Sequence, residues 1–210
     1  MNNKDNYIDI TDNYMKLLSF ISFILFSFSV QADKSGYYIT TNLEESSVTF
    51  LGVQTDLDRG YNIKGGYDFP ISDTFYMSVE LEYNNMGSFD YDWKKDNEFA
   101  RSHIDAHFFG ANLKYRAYIL ESDFFITSMF GYGYYYLDMD IDFYLEEGNK
   151  GFKGKGSQSR SALGLSYGFE AGYDFTTHFT LTAGHNIARA IMDGIGYDFG
   201  TTYLGLTYNF

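Results

Sequence analysis

From Gly60 to Phe69 the side chains take turns. Tyr61, Ile63, Gly65, Tyr67 and Phe69 fall on one side, and Asn62, Lys64, Gly66 and Asp68 on the other. A period of two marks a strand with one apolar and one polar face. The pattern recurs: Phe75, Met77, Val79, Leu81 and Tyr83 alternate with Ser78, Glu80, Glu82 and Asn84. Phe109, Ala111, Leu113, Tyr115 and Ala117 alternate with Asn112, Lys114 and Arg116. Leu163, Leu165, Tyr167, Phe169, Ala171, Tyr173 and Phe175 alternate with Ser166, Glu170 and Asp174. Eight such segments are expected, over about 36–45, 59–69, 74–85, 102–117, 124–137, 161–175, 179–188 and 199–210. No helical-period stretch with caps at both ends interrupts them.

The joins have a rhythm. Pro70 to Asp73, Tyr118 to Asp123 and Thr176 to His178 are short. Ser46 to Asp58, Met86 to Arg101, Asp138 to Arg160 and Arg189 to Asp198 are long, polar and read as loops. Long and short joins in strict alternation suit an up-and-down membrane barrel, with loops on one side and turns on the other. Most segments have the ~9–11 residues a tilted strand needs to cross a bilayer. The expected fold is all-β: an eight-stranded antiparallel up-and-down transmembrane β-barrel.

Lipid then decides which face is outside. A base on a barrel's outer face at mid-bilayer costs ~2–4 kcal/mol. Glu80, Glu82, Lys114, Arg116 and Glu170 must therefore point inward, where enclosed charges need one another. They are expected to form an interior charge network, with Asn112 and Tyr203 satisfying leftover groups. Eight strands enclose a lumen that side chains just fill, and Gly66, Gly131, Gly133, Gly164, Gly168, Gly172, Gly184 and Gly205 make inward room. Bulk flow is not expected.

Composition agrees. Aromatic residues are 20% of the chain, with 21 Tyr, 21 Phe and one Pro among 210 residues. Tyr37, Tyr38, Tyr134, Tyr136, Tyr167 and Tyr208 read as girdles at the two membrane interfaces. A net charge of −13 argues against nucleic acid, whose phosphates need clustered bases. The absence of cysteine excludes disulfides and thiolate metal sites.

Met15 to Ala32 carries Lys16, an apolar run from Leu17 to Phe28, and Ser29-Val30-Gln31-Ala32. It is too short and wrongly flanked for a membrane-spanning helix, so a secretory signal cut after Ala32 is expected. Residues 1–32 are set aside as extension plus signal, and 33–210 form the barrel domain.

The strand Tyr203-Leu-Gly-Leu-Thr-Tyr-Asn-Phe210 ends on an aromatic residue. Together with Gly60 to Phe69 and Gly131-Tyr132-Gly133-Tyr134, it resembles strands of the small outer-membrane barrels of the outer membrane protein A and opacity type. The resemblance spans nearly all of 35–210. It implies a place in the bacterial outer membrane amid lipid and lipopolysaccharide. It also implies that Leu206, Tyr208 and Phe210 resemble the C-terminal signal read by the barrel-assembly machinery. Relatives of this type include structural anchors, adhesins and a few lipid-modifying enzymes.

Candidate chemistry is sparse. His103, Asp105 and His107, two apart, share one face and suggest either a metal or a lipid deacylase. No His-Xaa-Ser-Asn string follows, and Ser102 faces the other way, so solvated rim residues are the better reading. Asp138, Asp140 and Asp142 invite a calcium loop, yet Phe143 and Asn149 stand where an EF-hand needs Gly and Glu. Gly151 to Ser157 lacks the lysine of a phosphate loop and reads as flexible. Lys150, Lys153, Lys155 and Arg160 are placed to meet lipopolysaccharide phosphates or an anionic host ligand. No cofactor is expected. A monomer with a structural or surface-loop binding role is expected, taking a host surface ligand through its loops. A lipid A-modifying enzyme and a narrow ion channel stand as alternatives.

Overall fold

The structure, a computed structural model, describes residues 35–95, 98–119, 122–147 and 150–210, so the Met15 to Ala32 segment lies outside the described residues. Its strands are β1 (Gly36–Phe50), β2 (Val53–Asp56), β3 (Gly60–Ser72), β4 (Phe75–Lys95), β5 (Glu98–Tyr118), β6 (Phe124–Glu147), β7 (Lys150–Asp174), β8 (Phe179–Met192) and β9 (Ile195–Asn209). β1 pairs antiparallel with β3, each strand from β3 to β8 pairs antiparallel with the next, and β1 closes the ring on β9 from Tyr38 opposite Asn209 to Phe50 opposite Tyr197. β2 is a short hairpin partner at the end of β1. The ring therefore has eight strands, as the alternation requires.

Its outer surface is apolar. Leu43, Leu81, Phe130, Leu165 and Phe169 are 74%, 62%, 57%, 66% and 70% exposed. A belt of this kind is a surface made for lipid. Aromatic pairs edge it at the short-turn end, where Tyr37 meets Tyr67 at 4.8 Å and Phe124 meets Tyr173 at 4.5 Å. At the opposite edge Tyr134 lies beside Tyr136. Tyr38 departs from the expected girdle: it is 2% exposed and turns into the lumen, where any Cβ on Gly66 would strike its ring.

The long joins are not loops. β4 and β5 stay paired to Lys95 opposite Glu98, and β6 and β7 to Glu147 opposite Lys150. Gly151 to Ser157 is thus a paired strand, where Gly151 and Gly154 leave room for the rings of Tyr144 and Phe143. The period of two continues through these segments with the faces exchanged. Inward positions become apolar (Phe89, Ile104, Leu137, Met139), and outward ones polar (Asp90, His103, Asp105, Asp138, Asp140). Beyond the bilayer the outside is water, so apolar groups gain by turning inward.

The fourth join is tighter still. Asp193 and Gly194, with φ of 51° and 80°, form a two-residue turn between Met192 and Ile195. Asp-Gly turns of this hand match the twist of paired strands. In β4 a bulge between Asn85 and Gly87 shifts the inward phase from even to odd positions. Gly87 has φ of +99°, and a Cβ there would strike the Asp58 carbonyl. Glycine is required on both counts.

The interior has two storeys. Val48, Met86, Phe89, Ile104, Phe108, Tyr135, Leu137, Met192 and Phe199 pack into an apolar cluster at the long-hairpin end. Below it the lumen is polar.

Candidate functional site

Glu80, Glu82, Lys114, Arg116 and Glu170 all face the lumen, each at 5% exposure or less. Lys114 Nζ lies 2.9 Å from Glu170 Oε1 and 3.3 Å from Glu80 Oε1. Arg116 is not part of that cluster of contacts. Its Nη1 pairs with Asp68 Oδ2 at 3.0 Å, Ser78 donates to the same carboxylate, and the guanidinium lies over the Phe125 ring. Glu82 accepts from Asn112 Nδ2 at 2.5 Å and Asn62 Nδ2 at 2.8 Å, with Lys64 Nζ at 3.9 Å. Tyr203 donates its hydroxyl to Glu170 Oε2 at 3.0 Å, and any Cβ on Gly184 would meet its ring.

The network has further members. Lys64, Asp68 and Asn62 were legible on the polar face of β3, but nothing in the pattern says which strand lies opposite which. Glu44 and Asp174 also turn inward; Asp174 accepts from the hydroxyls of Tyr118 and Thr180, each at 2.7 Å. Six buried carboxylates (Glu44, Asp68, Glu80, Glu82, Glu170, Asp174) thus share the lumen with three buried bases (Lys64, Lys114, Arg116) among the described residues. The arrangement sets charge pairs in the lumen beneath an apolar cap.

The second charged region is the outer face of the β4–β7 tips, in cross-strand rows. Asp92, Arg101, Asp142 and Lys155 stand opposite one another in succession, as do Asp90, His103, Asp140 and Ser157. Arg101 Nε meets Asp92 at 2.9 Å, and Lys155 Nζ meets Asp142 at 3.2 Å. His103 Nδ1 meets Asp90 at 2.7 Å, while its Nε2 lies 3.7 Å from Asp105. The Asp90 hydrogen bond, with the Asp105 and Asp140 charges nearby, holds the His103 imidazolium above its usual range.

His103 and Asp105 are brought together; His107 is not. It stacks on Tyr83 in the aromatic edge. Asp138, Asp140 and Asp142 line a strand rather than opening a loop, and face three different partners: Asp105, His103 and Arg101. Among the described residues no three His, Cys, Asp or Glu side chains are grouped to hold a metal ion. Between β5, β6 and β7 lies an open cleft of about 400 Å³, lined by Phe99, Arg101, Asp142, Phe143, Lys153 and Lys155.

Leu206 is 45% exposed on the lipid face. Tyr208 packs edge-on against Phe179 and Phe210. The Phe210 N–H donates to the Tyr37 carbonyl at 3.0 Å across the closing seam.

Known structures share this fold. The Ail attachment invasion locus protein of Yersinia pestis is 15% identical over 83% of this chain and 99% of its own, with a TM-score of 0.51. The same protein bound to the heparin analogue sucrose octasulfate is 17% identical over 84% and 99%, with a TM-score of 0.50. Neisserial surface protein A is 16% identical over 84% and 98%, with a TM-score of 0.47. No curated protein matches the chain. The model of the outer membrane protein beta-barrel domain matches residues 18–210, and the chain belongs to that family of bacterial outer-membrane barrels.

Proposed function

We propose that this barrel is a non-enzymatic surface protein whose rigid β tips hold a cleft for an anionic carbohydrate or phosphorylated glycan of the host or the cell's own envelope. The observation that carries the reading is the grouping of Arg101, Lys153 and Lys155 around one cleft, beside Phe99 and Phe143, where they outnumber the one lining carboxylate, Asp142, on a chain of net charge −13. Against an acidic background, three bases beside two aromatic rings suit sulfate or phosphate groups on a sugar, the rings packing on its apolar face. Paired strands keep the site ordered, so little entropy is lost on binding. Ail, which shares the fold, was solved with a sulfated sugar, and sucrose octasulfate is therefore a suitable probe.

The lumen supports the same reading. Its ion pairs and apolar cap favour a scaffold over a conduit, and the outer-face His103 is held by Asp90, with Asp105 beside it. Leu206, Tyr208 and Phe210 would serve assembly of the scaffold. The test is calorimetric titration of sucrose octasulfate into the detergent-folded protein and into K153A/K155A. Saturable binding that weakens with salt and is lost in the double variant is expected. Equal binding by both proteins would refute the cleft, and altered lipid A in cells expressing the protein would refute the non-enzymatic part.

A further inference from the structure

We propose that a lipid-facing groove across β1, β3 and β4 holds one acyl chain of a phospholipid from the periplasmic leaflet of the outer membrane. The open groove measures about 900 Å³, and the outward-facing Gly65 lies in its lining. Register builds it. Gly65 stands opposite Ile39 on one side and Leu81 on the other, so a residue without a side chain lies between two long apolar ones. Two positions along β3, roughly 7 Å toward the short turns, Tyr67 packs against both Tyr37 and Phe69, and these rings border the groove beside Phe210. Tyr38 and Glu80 also border it, but their side chains are buried toward the lumen. What the groove presents is therefore apolar.

Packing and backbone do not ask for glycine at position 65. Gly66, Gly131, Gly172 and Gly205 face the lumen, where a Cβ would strike a neighbouring atom. A Cβ on Gly65 would meet nothing within 4 Å, and its φ lies outside the left-handed region. Glycine weakens a strand interior, and where neither φ nor crowding inside the protein requires it, it marks a close approach from outside.

Place and shape select the occupant. The groove lies in the apolar belt, just inside the aromatic edge at the short-turn end, and the short turns of such barrels face the periplasm. Chains at that depth belong to the phospholipids of the inner leaflet, whereas lipopolysaccharide fills the outer one. Lipid offers no hydrophobic gain on binding, so contact decides. A chain in the groove touches the floor and both walls, while one on the convex belt touches a single side. Tyr37, 69% exposed, lies in the edge that meets the ester groups and brings a hydroxyl to them. A second copy fits less well, because a two-fold contact would set groove against groove and enclose a void.

The test is native mass spectrometry of the protein purified from outer membranes in mild detergent. Wild type is compared with G65F, which fills the groove, and with A171F, which adds the same ring to the lipid face of β7 across the barrel. An unheated gel verifies folding. Wild type and A171F should each carry one phospholipid, and G65F at least about tenfold less. A wild type without phospholipid, equal amounts on all three proteins, loss in both variants, lipid A in place of phospholipid, or a second copy released by G65F would each overturn the proposal. Should G65F not fold, wild type alone decides in vesicles containing phosphatidylethanolamine with a photoreactive acyl chain. Adducts should gather around Ile39, Gly65 and Leu81, and labelling spread evenly around the belt would overturn the site.

Discussion

Lys114 sits between Glu80 and Glu170 at 3.3 and 2.9 Å, with all three side chains at 5% exposure or less. Removing the ammonium strands two carboxylates in a low-dielectric space, which typically costs about 3–5 kcal/mol. Lys114→Met should lower stability by that amount in urea unfolding followed by gel mobility. A loss under about 1 kcal/mol would mean that water reaches the pair. His103 is different, because it is half exposed on the outer face. Its folded pKa is raised, so its protonated contacts support the tip fully below the ordinary value of about 6.5 and are lost as pH rises through the folded value. An NMR titration should place its midpoint above that ordinary value, and Asp90→Asn should bring it down. An unmoved midpoint in the variant would remove Asp90 as the cause.

At the scale of elements, the apolar cap and the lipid belt should respond differently to truncation. Phe199, 2% exposed, stacks on Tyr135 at 5.1 Å inside a closed cluster. Phe199→Ala leaves a cavity and should cost about 3–5 kcal/mol. Leu204→Ala, on the outer face of the same strand, opens a space that acyl chains refill and should cost much less. Parallel unfolding curves for the two variants measure the contrast, and equal losses would contradict a solid cap. The tips of β4–β7 were legible in part. Phe89, Ile104, Leu137 and Met139 kept their period of two, and Asp193-Gly194 is a hairpin signal. A content of Asp, Lys, Gly and Ser masked both, because polarity alone does not distinguish a loop from a strand whose wet face has changed sides.

For the whole molecule, the charge network and the apolar cap lie in series along the lumen. Purified protein in planar bilayers should give no steady conductance, and Phe199→Ala alone should leave it silent, because the Lys114 and Arg116 pairs lie below. Regular channel openings in wild type would show that the lumen opens. The barrel thus joins two solvent regimes along one set of strands. Within the membrane its greasy face is outside; above it, that face is inside.

The sequence by itself determined the period of two, the number of ring strands, the inward direction of Glu80, Glu82, Lys114, Arg116 and Glu170, and the lipid-facing belt. These follow from local geometry and from what lipid excludes, and they need no knowledge of partners. Only the tertiary structure decided that Arg116 meets Asp68, that Lys114 meets Glu80 and Glu170, that Tyr38 turns inward, and that Asn62 bridges Glu44 and Glu82. Those outcomes depend on register around a closed ring, where residues far apart in the chain become neighbours, and alternation within single strands carries no record of it.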